Sequence, residues 1–433
     1  MKVVAFVPAK GSSSRVESKN VKLLDGKPLF MHTIEKLMLC EFIDEVYLDT
    51  ESEALVSIAE ESGCKILFRD PQYANNSTDG NRLFLNEVNQ VEADVYLQVL
   101  CTSPFISIDT LKAGVDVLTD PALDYDSALL VKNEKLYTWS DSRPNYSIEK
   151  IPNSIDLPST IIETMGLYIV KRAAALKTQR RIGDNPKLLE ASPLEAIDVN
   201  WPADFELANL IAAGMREKNR KLLENIKSHL TSSMLSDILD DIGFPAQIIK
   251  NLSPNFMDAK IFGRAKTLKL RELRDGEDFK GIYNALHSYD TVIPNDIILV
   301  ENEVGEFAYF GELNANLAIR SGAAGVVISG NTRDSREVRQ LGLPVFSKGF
   351  TCQDVRKRAT MDSMNKKICI EGVYVSPEDL VFGDAEGVVV LPKRAEKKIM
   401  AEIFLRISNE KQILVDISNG KDVDHLVKEY GFF

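Results

Sequence analysis

The sequence predicts an α/β protein of two domains, the first built on a doubly wound, mostly parallel sheet and the second a separate α/β unit. Three observations carry this expectation. Short β-branched runs alternate with helical patterns from residue 1 to about 215, a buried-type strand opens directly into a Gly-Ser loop rich in cations, and the texture changes beyond a charged helical stretch at 216–230. A chain of 433 residues is also long for one core, and roughly 150 residues per domain allows two or three domains.

Residues 3–7 read as a strand buried on both faces. Pro8 and Gly11 break it, and the small side chains of Ser12, Ser13 and Ser14 let backbone amides approach an anion, while Lys10, Arg15 and Lys19 would neutralise phosphate charge. A helix around 32–39, a strand at 45–48, a helix at 54–62 and strands at 64–68 and 95–100 continue the alternation. In such sheets ligands sit at the C-terminal strand ends, where the loop after Val7 lies. Residues 205–215 read as a helix closing this unit. The stretch 216–230, without Gly or Pro, reads as a helix leading into new structure, with a boundary near residue 222 and domains at 1–222 and 223–433. Beyond it come a helix at 233–241 and strands near 265–270, 296–300, 325–328 and 387–391, separated by glycine turns.

Composition narrows the function. A net charge of −12 argues against a general nucleic-acid binder, whose affinity comes from a positive field. Five scattered cysteines without a C-x-x-C pair suggest packing roles in a reducing compartment. Four histidines, none paired at i, i+4, argue against an imidazole-rich zinc site, so a metal would be Mg²⁺ or Mn²⁺ held by carboxylates. Only about seven apolar residues follow Lys2, too few for a secretory h-region, and no run approaches the roughly 18 residues a membrane span needs. The expected location is cytoplasmic.

The string GSSSRVESKNVKLLDGKPLF has the layout of a nucleotidyltransferase loop and resembles the acylneuraminate (CMP-sialic acid synthetase) cytidylyltransferases. Pro8, Ala9, Gly11, Ser13, Lys19 and Asn20 stand at family positions. FRDP at 68–71, STDG from Ser77 to Gly80, TSP at 102–104, DLP at 156–158 and IDVNWPADFELA at 197–208 follow in order. The resemblance implies a nucleotide-diphospho-sugar transferase-like sheet. It also implies attack on CTP by the anomeric hydroxyl of a 3-deoxy-ulosonic, sialic-acid-like sugar acid, giving a CMP-sugar and pyrophosphate. Lys10 and Lys19 would be catalytic, and Lys10, Gly11, Ser12, Ser13, Arg15, Lys19, Asn20, Thr102 and Ser103 would bind nucleotide. Asp198 and Asn200 would hold Mg²⁺. Arg69 either contacts the sugar acid or nucleotide or pairs with Asp70 at the surface. The chain departs from the family at Lys10 (Arg there), Ser14 (Lys), Leu100-Cys101 (Gln-Pro) and Asn200 (a second carboxylate).

In the second half, Glu312 is followed by Arg333-Asp334 after twenty intervening residues. This resembles the acid-x20-Arg-Asp signature of class II 4-hydroxy-4-methyl-2-oxoglutarate aldolases, which share a fold with RraA-like regulators. MLSDILDDIG at 234–243, FGRAKT at 262–267, PVFSKG at 344–349 and VSPEDLVFGDAEGVVVLP at 375–392 support it. The resemblance implies that Asp334 ligates a divalent metal, Arg333 faces pyruvoyl oxygens, Glu312 holds metal-bound water, and the Leu313 and Asn314 amides take the carboxylate. Glu410 would reach a neighbouring subunit's site, and Asp384 and Glu386 read as turn acids. A homo-oligomer using small-molecule substrates (CTP, a sugar acid, pyruvate or a keto acid) is expected. Two alternatives stand beside this: another sugar nucleotidyltransferase, or a C-terminal domain that acts only as a regulatory or oligomerisation module.

Overall fold

The structure is a computed structural model that describes residues 1–13, 15, 16, 18–75 and 78–430. Ser14, Ser77 and the Glu410 side chain, singled out by the sequence, lie outside the described residues. The chain divides into two compact units, Met1–Ala213 and Gly214–Phe433.

The first unit is a seven-stranded sheet of β1 (Val3–Pro8), β2 (Glu45–Thr50), β3 (Lys65–Phe68), β4 (Val95–Val99), β5 (Ser127–Glu134), β6 (Thr160–Lys171) and β7 (Pro186–Glu190), in the order β7-β5-β6-β4-β1-β2-β3. β1 pairs in parallel with β2 and β4, β2 with β3, and β7 with β5, while β6 runs antiparallel to both its neighbours. Val3, Val4, Phe6 and Val7 are all buried, as a strand covered on both faces requires. Between strands lie α1 (Leu29–Met38), α2 (Glu53–Ala59), α3 (Gly80–Gln90), α4 (Ile108–Thr119) and α5 (Arg172–Thr178). Side chains cap three of them: Ser52 accepts from Leu55 N–H, Asp79 from Asn81 and Arg82 N–H, and Ser107 from Thr110 N–H.

The sequence suggested two helices over 205–230; the structure has one, α6 (Pro202–Lys227). Its Pro is the first residue, Gly214 lies within it without ending it, and each end has its own apolar stripe at i, i+3, i+7. Phe205, Ala208 and Ala212 pack with Leu24, Leu29 and Val199, whereas Leu223 and Ile226, with Leu230 just beyond the helix, pack in the second unit's core. The two units part within this helix, which also contains the boundary position read from the sequence.

In the second unit, β8 (Ile248–Ile249), β9 (Ser253–Pro254), β10 (Ile261–Glu272), β11 (Asp296–Asn302), β12 (Gly325–Ser329), β13 (Val345–Ser347), β14 (Ala359–Met364), β15 (Leu380–Asp384) and β16 (Gly387–Leu391) form a nine-stranded sheet. Its order is β8-β16-β15-β10-β11-β12-β13-β9, with β14 also on β10. β10, β11, β12 and β13 are parallel, and antiparallel strands flank them. Helices α7 (Ser232–Asp241), α8 (Glu312–Ser321), α9 (Ser335–Gln340) and α10 (Glu396–Ser418) accompany the sheet. Asp384 accepts from both the N–H and the hydroxyl of Ser232, and Glu386 accepts from Ser233 Oγ, so these acids tie the end of β15 to the start of α7. Among the described residues no helix is long and apolar enough to cross a membrane.

His32 on α1 donates from Nε2 to the Leu24 carbonyl at 2.8 Å, bracing the short hairpin that follows the Gly-Ser loop. Burial, helped by Lys27, lowers its pKa to about 4 from the usual 6.5. The unfolded chain therefore binds the proton more readily between those values, and stability is lost as pH falls. Unfolding in urea should show stability decreasing from pH 6.5 to about 4, and His32→Gln should flatten that slope.

Candidate functional site

The loop after β1 is held from three directions. Ala9 N–H donates to the Asp49 carbonyl at 2.9 Å, Gly11 N–H donates to Glu51 Oε1 at 2.8 Å, and Asn20 Nδ2 donates to the Lys10 carbonyl at 2.8 Å. A Cβ on Gly11 would stand 2.7 Å from Ser52 Cβ, so the close approach to the start of α2 needs glycine. The loop walls a cavity of about 460 Å³. Lys10, Ser12, Ser13, Arg15, Lys19 and Asn20 line it, together with Arg69 and Thr102. Tyr73 and Leu83, which the sequence did not single out, line it as well.

Lys19 is buried and donates to the Val199 carbonyl at 2.9 Å, while Val199 N–H donates to the Thr102 carbonyl at 2.8 Å. One peptide segment is thus clamped between the Gly-Ser loop and the loop after β4, and Asp198 and Asn200 flank it. Burial lowers the Lys19 pKa, Arg15 and Lys10 add to the effect, and Cys101 and Asp198 oppose it. The Arg15 guanidinium sits 5.7 Å from the Trp201 ring centroid, a second tie between the same segments. Cys101 Sγ faces Asn20 Oδ1 at 3.4 Å, and burial pushes this thiol up to about 11, so it packs as a neutral group.

Asn200 Nδ2 donates to Asp198 Oδ2, and Asp198 Oδ1 is buried without a hydrogen-bond partner. Among the described residues no group of three His, Cys, Asp or Glu could hold an ion. The donor set is one orphaned carboxylate oxygen and an amide oxygen. That fits Mg²⁺, which takes one or two protein carboxylates and fills its remaining positions with phosphate and water.

Two expectations change. Arg69 does not pair with Asp70, whose carboxylate instead caps the turn at Gln72. Arg69 is 1% exposed and grips Asp49: Nε to Oδ1 and Nη2 to Oδ2 at 2.9 Å each, with Nη2 also donating to the Asp49 carbonyl at 2.8 Å. It lines the cavity floor with its fork already engaged. Ser103 does not line the cavity; its Oγ is buried where a Cβ on Gly166 would stand 2.6 Å away. The reason is the turn after β4, closed by Ser103 N–H to the Leu100 carbonyl, which presents Thr102 and sends Ser103 inward.

In the second unit, the acid and the Arg-Asp pair meet at the start of α8. Arg333 N–H donates to the Phe310 carbonyl at 2.9 Å, and Asp334 Oδ2 accepts from Glu312 N–H at 3.1 Å. Gly311 makes room: a Cβ there would lie 2.4 Å from Asp334 Oδ2. Leu313 and Asn314 fall in the first helical turn, whose amides have no carbonyl partner within the helix. Leu313 is exposed, and the Asn314 side chain turns back to the Tyr309 carbonyl at 2.7 Å. Arg333 Nη1 pairs with Asp354 at 2.7 Å, a partner the sequence spacing gave no sign of. The Asp334 carboxylate, which accepts from the Glu312 amide, is an oxygen donor of the type Mg²⁺ or Mn²⁺ takes.

Known proteins resemble the two halves separately. A Cytidylyltransferase family model matches residues 4–149, and an Aldolase/RraA model matches 232–390. The CMP-N,N'-diacetyllegionaminic acid synthase of Legionella pneumophila is 25% identical over 223 residues, 48% of this chain and 94% of that protein. A Halalkalibacterium halodurans protein provisionally named 4-hydroxy-4-methyl-2-oxoglutarate aldolase is 30% identical over 173 residues, 40% of this chain and 77% of that one. Protein DlpA of L. pneumophila is 28% identical over 203 residues, 46% of this chain but 32% of DlpA, so the chain spans about a third of that relative.

Arg69→Met would leave the buried Asp49 carboxylate without its counter-charge. Loss of one partner of a buried pair costs about 3–5 kcal/mol, and denaturant unfolding should register a drop of that order.

Proposed function

We propose that this chain, which belongs to the cytidylyltransferase family through its N-terminal half and to the Aldolase/RraA family through its C-terminal half, activates a 3-deoxy-ulosonic sugar acid with CTP. The observation that carries this reading is the cavity where Lys10, Arg15 and Lys19 converge beside the clamped Asp198–Asn200 segment. Displacement at phosphorus calls for positioning and positive charge more than covalent help. The three cations and the loop amides bind and orient the triphosphate. Asp198 and Asn200 would hold Mg²⁺, which supplies charge neutralisation on the phosphate oxygens when bound. The anomeric hydroxyl forms the new P–O bond at the α-phosphorus, loses its proton to solvent, and pyrophosphate leaves. Lys19, tied to the Val199 carbonyl, fixes the distance between the cationic loop and the acidic segment.

For the C-terminal half, the proposed chemistry is metal-assisted enolate formation next to a pyruvoyl group. Asp334 would hold the divalent ion, which stabilises an enolate oxygen when bound. Arg333 orients the keto acid, and the Leu313 and Asn314 amides receive its carboxylate. A keto acid made or cleaved here shares its carbon skeleton with the sugar acid activated by the other half. The Arg333–Asp354 pair also favours a second reading, in which the guanidinium is occupied and this half only regulates or assembles.

With CTP, Mg²⁺ and a panel of 3-deoxy-ulosonic acids, the full chain should release pyrophosphate, and Asp198→Ala should lower kcat/KM by about 10²-fold or more, the scale of a lost charge-stabilising group. No release with any acid would overturn the reading. Asp334→Ala should abolish metal-dependent keto-acid cleavage while leaving pyrophosphate release intact; if parent and variant handle keto acids alike, the second reading stands.

A further inference from the structure

A line of buried polar side chains crosses the first unit from α3 to the Gly-Ser loop. Glu87 and Asp49 are fully buried, and Gln98 and Arg69 are 1% exposed. Glu87 Oε2 accepts from Gln98 Nε2 at 2.8 Å. Its other oxygen, Oε1, is buried and receives no donor, and Asp49 is the carboxylate that faces this group. Both Asp49 oxygens are held by the Arg69 fork. Arg69 Nη1 then lies 4.0 Å from Glu51 Oε2, and Glu51 Oε1 receives the Gly11 amide.

Two facing carboxylates can bond only through a proton, because each otherwise offers only acceptors. One guanidinium also brings one positive charge to two fully buried carboxyl groups, and an uncompensated charge there is far more costly than a neutral acid. We propose that Glu87 is a positioning residue for the cavity: its neutral carboxyl donates to Asp49, which holds the Arg69 fork and, through Glu51, the Gly-Ser loop in place. That the cavity takes CTP rests on the function proposed above; the shared proton does not.

The groups facing Glu87 are Asp49 on β2, Gln98 on β4 and Arg69 after β3. Burial, then Asp49, raises its pKa well above the usual carboxyl value. A glutamine at this position reproduces the arrangement without a titrating proton, since its Nε2 donates to Asp49 and its Oε1 accepts from Gln98.

Difference infrared spectroscopy of the parent against Glu87→Gln at neutral pH should reveal one protonated-carboxyl stretch in the parent that is missing from the variant. Its absence from the parent would overturn the proposal. In calorimetric titrations with CTP and Mg²⁺, Glu87→Leu should bind about tenfold more weakly, the scale of one misplaced hydrogen-bonding group, and Glu87→Gln should recover most of that loss. Parental affinity should fall on the alkaline side as the proton leaves, and the Glu87→Gln profile should be flatter. Leucine binding as well as the parent, or glutamine binding as poorly as leucine, would refute the positioning role. If leucine fails to fold, the two pH profiles decide: a flattened Glu87→Gln profile supports the role and an unchanged one refutes it. A parent that binds no CTP would defeat the function proposed above, while the infrared band would still decide whether the proton is shared.

Discussion

A guanidinium with almost no solvent contact persists only if its charge is matched where it sits, and the Arg69–Asp49 fork meets that constraint for the first unit. The pair does more than cancel charge. The Asp49 carbonyl, which Arg69 also bonds, accepts the Ala9 amide and so sets where the chain leaves β1. Glu51, two residues on, receives Gly11. The loop that lines the cavity is therefore hung from the C-terminal end of the neighbouring strand by the Ala9 and Gly11 amides, and its course is fixed before any anion arrives. Preorganisation of this kind is what a polyphosphate site needs, because donors that must first be gathered give back part of the binding energy.

The clamp on Val199 is the complementary device. Lys19 and Thr102 hold one peptide segment between them, which places Asp198 beside the cationic loop. Opposite charges are thereby kept close but separate: Asp198 bonds Asn200 rather than a lysine, and one of its oxygens stays without a partner. A carboxylate neutralised by Lys19 would be a poorer cation ligand. The second unit follows another plan, with its acid and Arg-Asp pair at the open start of a helix. Two of its buried charged groups, Lys266 and Asp296, lie on adjacent strands of the sheet, and Lys266 also pairs with the half-buried Glu378 in the turn before β15. Burial raises the Asp296 carboxyl to about 7, with Lys266 opposing and Glu378 adding to the rise.

Much of this was legible because local physics writes itself into spacing. The apolar run ending at Pro8, the small residues after it and the alternation of strands and helices predicted the parallel core, and the Gly-Ser loop predicted a cationic cavity wall. The spacing of Glu312 and Arg333-Asp334 corresponds in the fold to a contact between the Asp334 carboxylate and the Glu312 amide at the start of α8. What escaped were partners contributed by distant segments. Asp49, Glu51, Glu87 and Asp354 occupy ordinary strand, helix and loop positions, and nothing in their neighbours' identity marks them. Ser103 misled for the opposite reason, since Thr-Ser-Pro reads as a unit although the turn splits its side chains between cavity and core.

The sequence by itself determined the elements, the two-part organisation and the chemical types gathered in the Gly-Ser loop, because periodicity and short-range sterics act within a few residues. Tertiary structure alone decided which charges are spent and which stay available. Arg69 is committed to Asp49 by parallel pairing of two strands, and Asp198 keeps an oxygen open because a distant lysine takes a carbonyl instead of its carboxylate. Pairing across the fold depends on register and burial, and those exist only once the sheet has formed.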